Sequence, residues 1–188
     1  VLAVPPDLTA EEAALLPTME TAVNLLLDGA PLVGEQVIVF GQGVVGLLTT
    51  ALLARLPLAG LVTADTIARR RELGLGLGAR VSLDPGTADF LESARAALQG
   101  EARPGGGADL AYELSGNPAA LDQAIAATGY GGRVVIGSWY GRKRVELDLG
   151  GSFHRSHMLL IASQVSRVAP ALSGRWNSRR RLGVAWEM

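Results

Sequence analysis

Cysteine is absent from this chain of 188 residues. No disulfide framework, no thiolate zinc site and no redox chemistry from its own thiols can be built, which suits a reducing cytoplasm. Charge of one sign is also lacking. With 17 Lys and Arg against 18 Asp and Glu, the formal net charge is −1, so nothing draws the chain as a whole toward nucleic acid or an anionic membrane. No apolar run approaches the roughly 20 residues a membrane span needs, and no basic region followed by an apolar one opens the chain. The expectation is a soluble, cytoplasmic protein with neither nucleic acid nor membrane as partner. Aromatic residues are scarce at 5%, yet 48% of residues are hydrophobic and 24 are Gly, enough for one substantial core and about one α/β domain. An initiator Met is missing at Val1, and Met188 falls inside a helix-like stretch from Trp176. That pattern reads as a piece of a longer protein, or as one trimmed by proteolysis.

What is present is sharper. The apolar run Val37-Ile38-Val39-Phe40 leads into Gly41-Gln42-Gly43-Val44-Val45-Gly46, which opens a helix-like stretch to Arg55. Gly41 allows the tight strand-to-helix turn, Gly43 leaves room for a pyrophosphate to approach the backbone, and Gly46 lets helix and strand pack closely. The N–H groups at Val44, Val45 and Gly46, with the positive end of the helix dipole, then face the phosphates. Leu61-Val62-Thr63-Ala64 reads as the next strand and ends at Asp65, about 20 residues beyond the glycines, where a carboxylate accepts both hydroxyls of an adenosine ribose. Such an acid repels a 2′-phosphate and favours NAD over NADP. Arg69-Arg70-Arg71 lies close by. These arginines form a solvated helix face or bind a 2′-phosphate, which would turn the preference to NADP.

Along the rest of the chain, Thr9 with Glu12 marks the N-terminus of a short helix to Leu16. Pro17 and Thr18 interrupt it, and Met19 to Leu27 has helical periodicity. Strands are expected at Gln36 to Phe40, Leu61 to Ala64, Arg80 to Leu83, Ala108 to Leu114, Arg133 to Ser138 and Leu159 to Val165, with a short extended piece at Val145 to Leu149. Helices are expected at Thr66 to Leu73, Thr87 to Gln99 and Ala119 to Ala127, the last capped by Asn117 with Pro118 at its first position. A loop, Arg103-Pro104-Gly105-Gly106-Gly107, precedes the fourth strand. Six strands with helical crossovers predict an α/β Rossmann fold, a doubly wound parallel sheet in the order 3-2-1-4-5-6. The expected divisions are a helical lead-in over 1–34, the dinucleotide-binding unit over 35–168, and the start of a C-terminal helix over 169–188.

In that sheet a ligand lies across the carboxyl ends of the strands where the order reverses. The fourth strand ends at Leu114-Ser115-Gly116 and the fifth at Gly137-Ser138-Trp139. Small residues there let a nicotinamide ribose sit against backbone, and Ser115 and Ser138 offer hydroxyls. As ordinary strand-end turns they would need no ligand. Gly74, Gly76 and Gly78 follow a helix and precede a strand, which marks a helix C-cap and turn rather than a second phosphate loop. His154 and His157 have metal-compatible spacing without a completing Cys or carboxylate pair. Arg175, Arg179, Arg180 and Arg181 with Trp176 are expected to contact a domain outside the chain.

These segments, from Glu12-Ala13-Ala14-Leu15-Leu16-Pro17 through the glycine loop, Glu72-Leu73-Gly74, Gly78-Ala79 and Glu113-Leu114-Ser115-Gly116-Asn117 to Gly131-Gly132-Arg133-Val134-Val135-Ile136-Gly137, resemble the cofactor domain of the medium-chain dehydrogenase/reductase family. The resemblance is closest to the zinc-type alcohol and polyol dehydrogenase branch. It implies hydride transfer between NAD(P) and an alcohol or carbonyl substrate, with Asp65 on the adenosine ribose, Arg70 beside it, and Leu114, Gly116, Gly137 and Trp139 flanking the nicotinamide half. It also implies a catalytic domain that precedes this chain and a homodimer formed through the strand Leu159 to Val165. The zinc branches place a metal ligand near Leu16 or Pro17, neither of which can coordinate. Glu20, one turn on, is then a displaced ligand or a solvated or cap-paired carboxylate, and Thr18 and Thr21 share that ambiguity. Zinc in such an intact enzyme would polarise the substrate oxygen. The competing readings are a zinc-free NADPH quinone or enoyl reductase, a methyltransferase, and a non-catalytic nucleotide-binding module.

Overall fold

The computed structural model describes residues 4–99 and 106–188. Its centre is a six-stranded sheet built from β1 (Gln36–Phe40), β2 (Gly60–Ala64), β3 (Val81–Leu83), β4 (Ala108–Glu113), β5 (Thr128–Ile136) and β6 (Leu159–Ala162). The strand order is β3-β2-β1-β4-β5-β6, and every pairing is parallel. This is the expected doubly wound α/β fold, with the order reversing between β1 and β4. The glycine loop follows β1 directly and so lands at the reversal point.

Alternation along β1 explains why both faces are covered. Ile38 and Phe40 join one core cluster with Phe90 and Leu121, while Val37 and Val39 join another with Leu25, Leu53 and Tyr112. Strands buried on both faces read as continuous apolar runs, as β1 does. Helix α5 (Phe90–Ala97) and α6 (Pro118–Ala127) supply the first face, and Phe90 meets Phe40 edge-on at 5.7 Å. On the other face lie α2 (Leu16–Gly29) and α3 (Val44–Leu53), beyond which α7 (Ser178–Glu187) adds an outer layer through Ala185. Among the described residues, the other two α-helices are α1 (Ala10–Ala14) and α4 (Ala68–Gly76).

Several boundaries differ from the sequence expectation. In α1 the Thr9 hydroxyl accepts from the Glu12 N–H at 3.2 Å and Glu12 accepts from the Thr9 N–H at 2.8 Å, the expected capping box. Pro17 does not delay α2. It sits in the first turn, where a missing N–H costs nothing, and the helix begins at Leu16. Helix α4 runs past Leu73 to Gly76, so Gly74 and Gly76 lie inside the helix rather than in its cap and turn, and Gly74 is packed where a Cβ would lie 3.1 Å from both the Gln42 amide oxygen and the Thr63 hydroxyl. Strand β5 starts at Thr128 rather than Arg133. Its register against β4 shifts between Ala108 and Leu110, and Gly131 absorbs the irregularity at φ 68°. Val145 to Asp148 forms no strand, and a single wide turn over Leu149–Phe153 follows, tied by the Gly151 N–H to Asp148 at 2.9 Å. The segment 103–105 of the expected glycine-rich loop lies outside the described residues. Among those described, no helix is long and apolar enough to cross a membrane.

Candidate functional site

The three loop glycines are required for different reasons. Gly41 turns at φ 87°, and a Cβ there would sit 2.7 Å from the backbone of Ser115. A Cβ on Gly46 would lie 1.8 Å from the Gly41 carbonyl oxygen. Both positions are therefore fixed by the protein's own packing. Gly43 is not: its backbone is extended and nothing lies within 4 Å of where its Cβ would be. The open space is on the side where α3 begins. Among the described residues no side chain caps that helix, and Val44 at its first position is 54% exposed. An α-helix leaves its first N–H groups without internal partners, which makes this end a seat for an anion.

Gln42, between the glycines, is fully buried and acts as an internal tie. Its side chain donates to the Gly41 carbonyl at 3.2 Å and accepts from the Thr50 hydroxyl at 3.1 Å. Its backbone N–H donates to Asp65 at 2.7 Å, and the other carboxylate oxygen accepts from the Ile67 N–H at 2.8 Å. Asp65 is 6% exposed. Each carboxylate oxygen has about two acceptor sites, so two protein hydrogen bonds leave capacity for a pair of hydroxyls. The neighbouring arginines are unequal. Arg69 pairs with Glu72 at 2.9 Å on the surface, and Arg71 is drawn to Asp84 at 3.0 Å. Arg70 alone of the three lines the cleft with Asp65, reaching it at 3.7 Å. That cleft, about 360 Å³, runs from Gly41 and Gly43 past Asp65 to Ser115 and Asn117.

At the ends of β4 and β5 the expected residues are neighbours. The Gly116 N–H, in a residue at φ 69°, donates to the Ser138 hydroxyl at 2.8 Å, which in turn donates to the Glu113 carbonyl at 3.2 Å. Gly137 is an internal packing glycine, since a Cβ there would come within 2.6 Å of Leu114 and Leu25. Trp139 is 92% exposed. Two residues without a sequence expectation complete this end: the Glu113 side chain and Tyr140, whose hydroxyl donates to it. Burial first, and then donation to the Glu113 carboxylate, pushes the Tyr140 hydroxyl's pKa up. The phenol stays protonated through the neutral range.

A family profile described as zinc-binding dehydrogenase matches residues 44–170. The chain belongs to that family. It corresponds to the cofactor-binding domain of these zinc-binding dehydrogenases. The L-threonine 3-dehydrogenase of Streptomyces coelicolor is 32% identical over 133 residues, covering 71% of this chain and 36% of its own length. Among solved structures, a zinc-binding dehydrogenase from Sinorhizobium meliloti 1021 bound to NADP superposes with a TM-score of 0.78 at 22% identity, covering 99% of this chain and 51% of that one. An alcohol dehydrogenase from Escherichia coli CFT073 complexed with NADH gives 0.77 at 18% identity, covering 98% and 49%. At those identities the structures speak for the fold alone. The chain thus spans about half the length of those solved structures, and less of the threonine dehydrogenase.

The described residues contain no group of three or more His, Cys, Asp or Glu that could hold a metal ion. At the start of α2, Leu16 and Pro17 carry no donor, and Thr21 is bonded back to the Pro17 carbonyl at 3.0 Å. Glu20 is taken up by Arg181 through bonds of 3.1 and 2.9 Å. This donor set does not fit zinc. Arg181 itself corrects an expectation: it is buried in this chain, donating also to the Asn24 side chain at 2.6 Å and the Val165 carbonyl at 2.5 Å. Arg180 lies over Trp176 at 4.2 Å. His157 packs edge-on against Tyr130 at 5.6 Å, beside the start of β5 and far along that strand from its carboxyl end.

Proposed function

We propose that this chain is the half of an oxidoreductase that binds a nicotinamide dinucleotide, preferring NAD, for hydride transfer between the cofactor and a small alcohol or carbonyl substrate. The observation that carries this reading is Asp65: a buried carboxylate tied to the glycine loop through Gln42, with acceptor capacity left at the cleft. The open Gly43 cradle and the uncapped start of α3 supply the phosphate seat beside it. The bound cofactor would supply the hydride or accept it. The chain's own residues bind and orient. Val44, Val45 and Gly46 present N–H groups to the pyrophosphate, Asp65 takes the adenosine ribose with Arg70 alongside, and Leu114, Ser115, Gly116, Gly137, Ser138 and Trp139 form the wall for the nicotinamide half. In this reading 1–34 is a lead-in from a catalytic domain supplied by the rest of the protein, 35–168 is the dinucleotide-binding unit, and 169–188 begins a C-terminal helix. Zinc, where the intact cytoplasmic enzyme uses it, would draw its ligands from outside this chain. The exposed edge of β6 suits pairing with a second copy into one continuous sheet, a homodimer through 159–165.

One observation favours a second reading. Arg70 stands half-exposed in the cleft with only a 3.7 Å contact to Asp65, placed to meet a 2′-phosphate and so an NADPH-dependent reductase. Calorimetric titration of the chain with NADH and NADPH at matched ionic strength separates the two. Tighter NADH supports the dehydrogenase reading, tighter NADPH the reductase, and binding of neither refutes both.

A further inference from the structure

Glu113 closes β4, and its side chain is completely buried. Among the described residues no cation is paired with it. A buried carboxylate is costly unless its oxygens are hydrogen-bonded, and here they are: one accepts from the Ser115 N–H at 2.8 Å and the Ser115 hydroxyl at 2.5 Å, and the other accepts from the Tyr140 hydroxyl. Ser115 belongs to the loop after β4, and Tyr140 to the loop after β5. One carboxylate therefore stitches together two loops that are otherwise far apart in the chain. The stitching is reinforced nearby, where Ser138 joins the Gly116 N–H to the Glu113 carbonyl and the Lys143 ammonium donates to the Gly116 carbonyl at 2.8 Å. An apolar side chain would fill this buried strand end with less desolvation. What it would not do is fix Ser115, Gly116, Ser138 and Trp139 relative to one another.

We propose that Glu113 is a positioning residue, acting through Tyr140 and Ser115 to hold the loops after β4 and β5 in the arrangement that receives the nicotinamide end of the dinucleotide, without touching it. The inference rests on the cofactor reading above and assigns a division of labour within that site. The adenosine and pyrophosphate end is held by Asp65 and the glycine loop, which Glu113 does not contact. Loss of the Glu113–Tyr140 bond should therefore weaken only the nicotinamide half of the ligand, the second ribose and its ring.

The test compares NADH with ADP, which keeps the adenosine and pyrophosphate and lacks both the nicotinamide ribose and its ring. Dissociation constants for both are measured on the unaltered chain, on Tyr140→Phe and on Glu113→Gln, with thermal unfolding to confirm that each variant is folded. Tyr140→Phe keeps the ring and removes one donor at a half-buried position, so it tests the idea even where the buried substitution unfolds the chain. The expected result is a preference of the unaltered chain for NADH over ADP that falls about tenfold in Tyr140→Phe, on the scale of one hydrogen bond to a charged group. ADP affinity should stay within about twofold, inside the spread of a mutation that leaves its contacts intact. Glu113→Gln, which keeps the shape but only one acceptor oxygen, should fall between. Equal losses for both ligands, an unchanged ratio, or an unaltered chain with no preference for NADH would overturn the positioning role while leaving the cofactor reading standing. Failure of the unaltered chain to bind either ligand would remove both.

Discussion

Gly43 and Gly46 stand three residues apart in one loop, yet a methyl group should have opposite consequences at the two. At Gly46 the added Cβ would lie 1.8 Å from the Gly41 oxygen and 2.9 Å from its carbonyl carbon, and backbone cannot swing aside as a side-chain tip can. Overpacking of this kind costs about 1–3 kcal/mol or more, against about 1 kcal/mol gained from helix propensity. A net loss of about 2 kcal/mol lowers Tm by about 4–8 °C in a domain of this size. At Gly43 the backbone, φ −71° and ψ −172°, is one that Ala adopts freely, and the new methyl meets nothing. Stability should rise by about 0.4–1 kcal/mol through the unfolded chain's lost freedom, or about 1–4 °C in Tm. The same methyl occupies the space proposed for the pyrophosphate, so NADH affinity should drop by at least about tenfold, or about 1.4 kcal/mol. Differential scanning calorimetry and NADH titration on Gly43→Ala and Gly46→Ala read both quantities. A Gly43→Ala chain that binds NADH as tightly as the unaltered one would refute the argument that this glycine is kept open for a ligand.

Three further outcomes are expected. Asp28 is partly buried, and that burial raises its pKa despite donation from Ser163 and Asn24. A carboxyl with a raised folded pKa binds more protons folded than unfolded, so stability falls as pH rises from its unfolded value of about 4 through the folded one. Asp28→Asn should abolish that slope, and a Tm difference from the unaltered chain that does not change with pH would refute it. Arg181→Met removes a buried cation that ties α7 to α2, and should cost about 3 kcal/mol, the low end for breaking a buried pair, because Glu20 keeps partial access to water. Urea unfolding checks this, and a loss below about 1 kcal/mol, the range of a surface pair, would contradict it. Trp139, exposed beside Ser138, should transfer excitation to bound NADH, so Trp139→Phe should lose most of the NADH-dependent quenching of tryptophan emission while Trp186→Phe keeps it.

The parts of the fold legible in the sequence were those encoded locally. Strand β1, the glycines, the start of α3 and the acid ending β2 form one contiguous stretch in which each residue's job follows from its neighbours, and the strand order follows from the run of alternating elements. Interactions that join distant segments were not legible. Glu113 and Tyr140 meet only because β4 and β5 are adjacent and in register. Arg181 meets Glu20 across 161 residues, and in the sequence it looks like one of several surface arginines. Gln42 reads as a variable position in the glycine motif, and only the packing of α4 at Gly74 and of Thr50 beneath the loop reveals it as an anchor. Strand β5 begins ahead of its sequence signal because Tyr130-Gly131-Gly132 carries turn residues that the strand absorbs as an irregularity. A signal for Glu113 does exist: an acid at the carboxyl end of a central strand needs hydrogen-bond partners, and Ser115 and Ser138 lie at the neighbouring strand ends.

The proposed function requires a nicotinamide dinucleotide to lie across the carboxyl ends of β2, β1, β4 and β5. Two-dimensional amide NMR of the isotopically labelled chain, recorded as NADH is added, tests it most directly. The account predicts that the amides of Gly41 to Gly46, Asp65 to Ile67, Ser115, Gly116 and Gly137 to Trp139 shift together along one saturable curve, while Tyr130, Gly131 and His157 at the opposite end of the sheet stay fixed. Saturable shifts centred on the Tyr130 and His157 end, or none at all, would contradict it.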